Sequence, residues 1–234
     1  MRLMTAGIAL AAALAVSTAV STQAHAAEDA GRWQVKLLGT AVLPDGEIDK
    51  VKSVGGDFAT ALAGVTDPDT RANDNYVPTV AIEYFFTPNV SLETICCLTQ
   101  HDVDGKGQLA GAELVSNAKI VPATFTLKYH LDAGAIKPYI GAGPTYFIFI
   151  DEKPGETARA LGATKQKLDD SLGFALQVGV DIPVNDSGMS LSFDAKRYFL
   201  KVDATWSDAA GAKLLETKHN LDPWVLSAGL AFRF

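Results

Sequence analysis

Two segments of the chain alternate strictly between apolar side chains and small or polar ones. In residues 171–182 every even-numbered position is apolar, from Leu172 to Ile182. Residues 224–234 repeat the pattern, with apolar side chains at every even-numbered position up to Phe234. Because successive side chains of a strand point to opposite faces, both segments are predicted to be strands with one apolar face. Their length is typical of strands that cross a membrane.

Six further segments alternate less regularly, which brings the predicted number of strands to eight. They are residues 31–42, 78–86, 90–99, 120–130, 137–150 and 189–202. In the last of them the alternation changes phase at residues 197–199, which predicts a β-bulge.

The connections between the predicted strands alternate in length. Short turns are expected at residues 87–89, 131–136 and 183–188, and long loops at 43–77, 100–119, 151–170 and 203–220. Outer-membrane barrels with both chain ends in the periplasm have this layout. We therefore predict an all-β fold, an eight-stranded antiparallel transmembrane β-barrel, with a short helix in residues 55–65. A soluble ligand-binding barrel would alternate similarly with its apolar face inward, so it stays open as an alternative.

The N-terminal residues predict export from the cytoplasm. Arg2 precedes an apolar stretch at residues 6–20, and Ala24-His25-Ala26 has the small-x-small pattern of a cleavage site. We predict a signal peptide at residues 1–26 and one barrel domain at residues 27–234, located in the bacterial outer membrane and in contact with its lipid. The apolar stretch is too short to favour a membrane anchor.

Composition and motifs argue against several classes of function. The formal net charge of −7 argues against binding to nucleic acid. Cys96 and Cys97 are adjacent, which predicts two free thiols, with a vicinal or intermolecular disulfide as the alternative. Residues 102–113 resemble a calcium-binding loop, but Lys106 occupies a ligand position and an ordinary polar loop is favoured. We expect no enzyme activity, metal or cofactor, because the histidines lack metal-ligand spacing and no nucleophile motif occurs.

The sequence resembles the OmpW family of small outer-membrane proteins. The resemblance covers nearly all of the predicted domain and includes the motifs Tyr84-Phe85-Phe86-Thr87-Pro88-Asn89, Lys137-Pro138-Tyr139-Ile140-Gly141-Ala142-Gly143 and Leu230-Ala231-Phe232-Arg233-Phe234. It implies a barrel with a narrow, rather apolar interior that passes small hydrophobic molecules across the outer membrane. It also implies that Phe234 is part of the signal that the barrel-assembly machinery reads. Some relatives serve as receptors.

Charged residues fall on the polar face of the predicted strands. If the apolar face contacts lipid, these side chains point into the lumen, where unpaired charges are costly. We predict a lumen charge network that closes the barrel, with a selective polar pore as the alternative. Its members are Lys36, Glu83, Glu93, Lys128 and Arg233, together with Asp181, Asp194 and Lys196.

Pro122 and Pro144 fall inside predicted strands, although proline cannot donate a ladder hydrogen bond. Pairing around the turn at residues 131–136 brings Pro122 close to residues 144–146. We therefore hypothesise a weakened ladder between the fourth and fifth strands that opens sideways from lumen to lipid. A bulge or bend without an opening is the alternative.

The function predicted from these features is passive passage of small hydrophobic solutes. Strand parity gives five candidate lumen residues for the solute, with packing of the lumen as the alternative role of each: Leu38, Phe85, Tyr139, Phe147 and Phe149. Two other classes stay open. One is a structural or surface-interaction barrel with a receptor or adhesion role and no transport, and the other is an outer-membrane enzyme.

Overall fold

The computed structural model describes residues 31–234. Within this range the chain forms strands joined by turns, with two short helices. In chain order the elements are β1 (Trp33–Leu43), β2 (Gly46–Val54), α1 (Gly56–Ala61), β3 (Pro68–Ala72), β4 (Asn75–Thr87), β5 (Val90–Cys96), β6 (Thr99–Gly107), β7 (Glu113–His130), β8 (Lys137–Ile150), β9 (Lys153–Pro154), α2 (Glu156–Ala160), β10 (Lys165–Leu168), β11 (Ser171–Pro183), β12 (Met189–Ser207), β13 (Lys213–Leu221) and β14 (Trp224–Arg233). The predicted signal peptide lies outside the described residues.

Eight of the strands close into an antiparallel barrel, as predicted. Their order around the wall is β11-β8-β7-β5-β4-β1-β14-β12, and pairing of β11 with β12 closes the ring. The short connections β4–β5, β7–β8 and β11–β12 lie at the same end as the start of β1 and the end of β14. We call this the periplasmic end and the opposite one the outer end.

The barrel is apolar outside and largely polar inside its periplasmic half. Leu172 is 73% exposed and Ile140 is 59% exposed, whereas Lys36 and Glu83 are completely buried. A soluble barrel would show the reverse, so the outward face is the one that contacts lipid. Aromatic side chains mark its periplasmic rim, where the ring of Tyr84 packs edge-on against Trp33 and Phe86.

All four predicted long loops contain strands, which the sequence did not predict. β2 pairs with β13, β3 pairs with β6, and β10 pairs with the last residues of β12, so the sheet continues beyond the outer end of the barrel. We call this part the outer extension. Its outward side chains face water and need not be apolar, so an alternating pattern is weak there. The predicted helix is present as α1, shorter than expected.

The prediction of a β-bulge at residues 197–199 was wrong. β12 pairs with β11 in unbroken register from Ser190 to Phe199, and its irregularity lies instead between Trp206 and Ser207. The inward positions simply change from polar to apolar, since Lys196 is followed inside the barrel by Tyr198 and Leu200. The inward side chains change from polar to apolar at this point, and in the sequence this change resembles a shift in the phase of the alternation.

The segment that resembles a calcium loop is a hairpin. Asp102 and Asp104 lie in β6, and Glu113 begins β7, where it pairs with Asp104. In residues 31–234 no helix combines the length and the apolar character needed to cross a membrane.

Candidate functional site

The periplasmic half of the lumen is filled by ion pairs, most of which join strands that are not neighbours in the wall. Lys128 Nζ lies 2.8 Å from Glu93 Oε2 and 2.9 Å from Glu83 Oε2. Lys36 Nζ lies 3.1 Å from Asp181 Oδ1. Lys196 Nζ lies 3.0 Å from Glu93 Oε1 and 2.7 Å from Asp194 Oδ1. We call these seven residues the ionic floor.

Neutral side chains complete the hydrogen bonding of the ionic floor. Tyr139 Oη donates to Asp194 Oδ2 at 2.9 Å, and Lys128 Nζ lies 3.7 Å from the centre of the Tyr139 ring. Gln177 Nε2 donates to Glu93 Oε1 at 2.9 Å and to Asp194 Oδ2 at 2.6 Å. Buried charges persist only with such partners, and an eight-stranded barrel leaves an interior that side chains can fill. The ionic floor therefore places paired and hydrogen-bonded charges inside the periplasmic half of the lumen.

Arg233 was predicted in the charge network but lies apart from the ionic floor. Its Nε donates to the backbone carbonyl of Gly31 at 2.8 Å, and its guanidinium lies 3.6 Å from the centre of the Phe85 ring. It makes no ion pair with a described residue. Its position at the end of the last strand places it at the periplasmic rim, beside Gly31, the first described residue.

Above the ionic floor the lumen becomes an apolar cavity. The cavity has a volume of about 100 Å³ and continues from the barrel into the outer extension. Its walls include Val42, Ile120, Phe147, Phe149, Val202 and Trp206. Trp206 has its one polar atom satisfied, because Nε1 donates to the carbonyl of Leu114 at 3.0 Å. This cavity, which we call the upper cavity, is a suitable site for an apolar ligand.

The five predicted lumen residues are all buried inside the barrel, but only two line the upper cavity. Phe147 and Phe149 do so, with Phe147 packed against Tyr198 at 5.4 Å between ring centres. Tyr139 is bound within the ionic floor, and Phe85 lies beneath Arg233 at the periplasmic rim. Leu38 is buried but is not part of the cavity lining. Strand parity gives the face of a residue and not its height.

Sequence reasoning missed a row of cavity residues on β12. The inward positions Tyr198, Leu200, Val202, Ala204 and Trp206 are all buried, and four of them line the upper cavity. Period-two alternation does continue through residues 198–206, so the signal was present. Two predictions hid this alternation: the bulge at residues 197–199 and the loop predicted to begin at residue 203.

Pro144 interrupts the ladder between β7 and β8, the fourth and fifth strands of the barrel wall. Pairing runs from Lys119↔Ile150 to Thr124↔Thr145 and resumes in the same register at Leu127↔Ala142. The residues between lack ladder pairing. Thr126, on the lumen side of this gap, donates to Gln177 of the floor region at 2.6 Å. The gap therefore borders the ionic floor and not the upper cavity.

Pro122 was expected in a gap between β7 and β8, but it lies in a gap on the other side of β7, facing β5 and β6. Within the β7–β8 ladder it pairs with Phe147, three positions from Pro144. On its other side, β5–β7 pairing ends at Ile95↔Thr124 and β6–β7 pairing begins in the same register at Thr99↔Ile120. This register places Pro122 opposite Cys97 inside an unpaired stretch. Both residues line the upper cavity, so we call this stretch the cavity gap.

The fold and lumen define the class of protein: a small transmembrane β-barrel with an apolar outer cavity above a closed polar floor. The sequence profile of the OmpW family matches residues 29–234, and the chain belongs to that family. It is located in the bacterial outer membrane.

Named relatives agree with this assignment. The uncharacterized outer-membrane protein y4mB of Sinorhizobium fredii is 32% identical over 86% of this chain and 80% of its own. Outer membrane protein W of Vibrio cholerae is 28% identical over 94% and 97%. The crystal structure of the outer membrane protein OprG from Pseudomonas aeruginosa superposes with a TM-score of 0.72 at 25% identity, covering 88% of this chain and 96% of that one.

Proposed function

We propose that this barrel is a passive uptake route for small hydrophobic solutes across the outer membrane. The observation that carries the proposal is the upper cavity, which is apolar and reaches from the outer extension into the membrane-spanning barrel. A solute that enters from outside leaves water for the apolar walls around Phe149 and Trp206. Burial of apolar surface favours that transfer without an energy source.

The ionic floor argues against a straight route into the periplasm. Lys36, Lys128, Glu83 and Glu93 are at most 2% exposed and are held by several partners each. A hydrophobic solute that passed here would have to separate these ion pairs, at a cost of several kcal/mol per uncovered charge. The same barrier opposes ions, so the floor favours solute uptake over a selective polar pore.

The cavity gap is the proposed exit, sideways into the lipid. Pro122 and Cys97 face the upper cavity there, while the neighbouring Leu98 is 52% exposed on the lipid-facing side. Few ladder hydrogen bonds must break for the wall to part at this height. The Pro144 gap borders the ionic floor and is not the exit, which revises the location expected from the sequence.

A disulfide across the cavity gap tests both steps. Pro122→Cys, made together with Cys96→Ser, places one new thiol opposite the native Cys97, at a register position suited to a disulfide. Uptake of an apolar fluorescent solute into vesicles is measured with the bond oxidised and then reduced. Because the new cysteine also supplies a backbone amide, we expect the reduced protein to transport more slowly than the Cys96→Ser protein. Oxidation should abolish the remaining uptake, and reduction should restore it to that lower level.

The matched control is the Cys96→Ser protein without the second change, which oxidation should leave unaffected. Mass spectrometry establishes that the disulfide has formed. Unchanged uptake through the disulfide-bonded protein would contradict the proposed lateral exit. Equal uptake by protein-containing and protein-free vesicles would remove the transport proposal itself.

A further inference from the structure

A second cavity lies in the outer extension, farther from the membrane than the upper cavity. Its volume is about 210 Å³, against about 100 Å³ for the upper cavity. Its walls come from α1, α2, several strands of the outer extension and the turn between β6 and β7. The exposed residues of the wall, Ala61, Gln108 and Ala110, lie on α1 and on that turn, so the cavity opens toward the water outside the cell. We call it the outer chamber.

The outer chamber and the upper cavity meet at a shared wall. Four residues line both of them: Thr70, Leu114, Trp206 and His219. Trp206 is fixed in this wall, because its Nε1 donates to the Leu114 carbonyl at 3.0 Å. Thr70 lies on β3, which packs beside β2, and His219 pairs with Ile48 of β2. The outer chamber therefore lies between the outside water and the upper cavity.

Polar side chains in the wall of the outer chamber are occupied with the protein itself. Gln108 Oε1 accepts from the backbone amides of Thr66 and Asp67 at 3.0 and 3.2 Å. Thr157 Oγ1 accepts from the backbone amide of Glu113 at 3.0 Å. These groups hold the turn between β6 and β7 to its neighbours and leave few hydrogen bonds for a ligand.

No charged side chain lines the outer chamber among residues 31–234. Its one titratable group, His219, has Nε2 within 2.7 Å of Thr217 Oγ1. Burial lowers the pKa of His219 to about 4, against the opposing effect of Asp69 and Asp203, so the ring is neutral near pH 7. An ionised ligand would lose its hydration here without gaining a counterion, which favours an uncharged, apolar occupant.

Volume distinguishes the two cavities as sites for such a ligand. An engineered protein cavity of about 150 Å³ holds one benzene molecule. The outer chamber is larger than that and the upper cavity is smaller. A molecule the size of one aromatic ring therefore fits the outer chamber as its walls stand, whereas the upper cavity must widen to receive it.

We propose that the outer chamber is the first binding site of the solute and holds one uncharged apolar molecule about the size of a single aromatic ring. Phe58, Leu62 and Leu215 provide apolar wall, and burial of the ligand's surface against them drives binding. The molecule then passes the shared wall at Trp206 to reach the upper cavity. The proposal rests on the proposed function, since it gives the entry step of the same route.

Quenching of Trp206 fluorescence by a brominated ring tests the site. Trp33→Phe and Trp224→Phe leave Trp206 as the single tryptophan of the sequence, in the wall of both cavities. The protein in lipid nanodiscs is titrated with bromobenzene and, separately, with 4-bromobenzoate. We expect saturable quenching by bromobenzene. The benzoate should need at least about a tenfold higher concentration, because its carboxylate must lose water.

Variants that fill one cavity at a time show which of them the ring occupies. Ala112→Phe and Val51→Phe each fill the outer chamber, from different sides, and should raise the half-quenching concentration of bromobenzene at least about tenfold, because the ligand loses most of its buried apolar surface. Ala204→Phe, which fills the upper cavity, should leave it within about twofold. Ala63→Phe adds the same ring at an exposed position outside both cavities and is the matched control. Heat-dependent gel mobility checks the folding of each variant.

Each outcome decides for or against the outer chamber. Weaker binding with Ala204→Phe but not with Ala112→Phe or Val51→Phe would place the ring in the upper cavity, overturning the outer-chamber site and leaving the proposed function intact. Equal or tighter binding of 4-bromobenzoate would overturn the requirement for an uncharged ligand. Absence of saturable quenching would also overturn the site. Vesicle uptake by the same protein then decides the proposed function separately, since that function fails only if uptake equals that of protein-free vesicles.

Discussion

At the scale of single residues, the ionic floor shows how a membrane barrel holds charge in its interior. Lys128 and Lys196 are almost fully buried, and each has carboxylates within 3.0 Å. Glu93 joins them, because its two oxygens accept from different lysines. Each buried ion pair contributes little net stability, because desolvation of the charges offsets their attraction. Removal of one member is costly, because its partner is then left buried and unpaired.

We predict that Glu93→Gln destabilises the barrel by about 3 kcal/mol, because two buried lysines then lose their shared carboxylate. The free energy of unfolding in urea, measured in lipid vesicles, checks this. Lys167→Met is the matched control: its ion pair with Asp169 is exposed, and its removal should change stability by less than about 1 kcal/mol. Equal effects of the two substitutions would show that the floor residues are not held as described.

At the scale of secondary structure, the strands that contact lipid could be predicted and those above the membrane could not. Residues 171–182 and 224–234 had to place apolar side chains on the outer face, so their alternation was strong and β11 and β14 follow it. β2 and β13 satisfy no such demand. Outward residues there, such as Glu47 and Lys218, are polar like those of a loop, so the sequence does not distinguish the two.

The candidate site was only partly predictable for the same reason. The charges of the floor were recognisable because the polar face of a lipid-exposed strand must point inward. The upper cavity depends on side chains from predicted loops, such as Trp206 and His219, which meet only when the outer hairpins pair. The sequence shows that Pro122 and Pro144 lie within strands. It does not show which neighbouring strand loses a hydrogen bond at each proline, because that depends on the pairing register. A shift of the register by one residue would change the partner.

The two prolines should differ in their effect on uptake. Pro122→Val supplies an amide in the cavity gap, so β7 can pair more fully with β5 and β6, and we predict a severalfold loss of apolar-solute uptake. Pro144→Val adds an amide beside the ionic floor. Because this position lies away from the upper cavity, uptake should stay within about twofold of that of the unaltered protein. Vesicle flux of a fluorescent apolar solute is the measurement. A larger loss with Pro144→Val would place the exit between β7 and β8 instead.

At the scale of the whole molecule, one closed wall carries two different interiors. The periplasmic half is filled with paired charges, and the outer half, continued by the outer extension, is an apolar container. Under the proposed function this division would set the direction of travel: solutes would enter from outside, would be stopped by the ionic floor and would leave through the wall.

The most direct test of this account fills the upper cavity and measures uptake. Ala204 is buried in the cavity wall and Thr205 faces outward on the same strand, so Ala204→Phe and Thr205→Phe add similar bulk inside and outside. Uptake of an apolar solute is compared in cells that carry the original gene, either variant or no gene, with folding checked by heat-dependent gel mobility. The account predicts that Ala204→Phe lowers uptake to the level without the gene, whereas Thr205→Phe leaves it unchanged. Undiminished uptake with a folded Ala204→Phe barrel, or equal uptake with and without the gene, would contradict it.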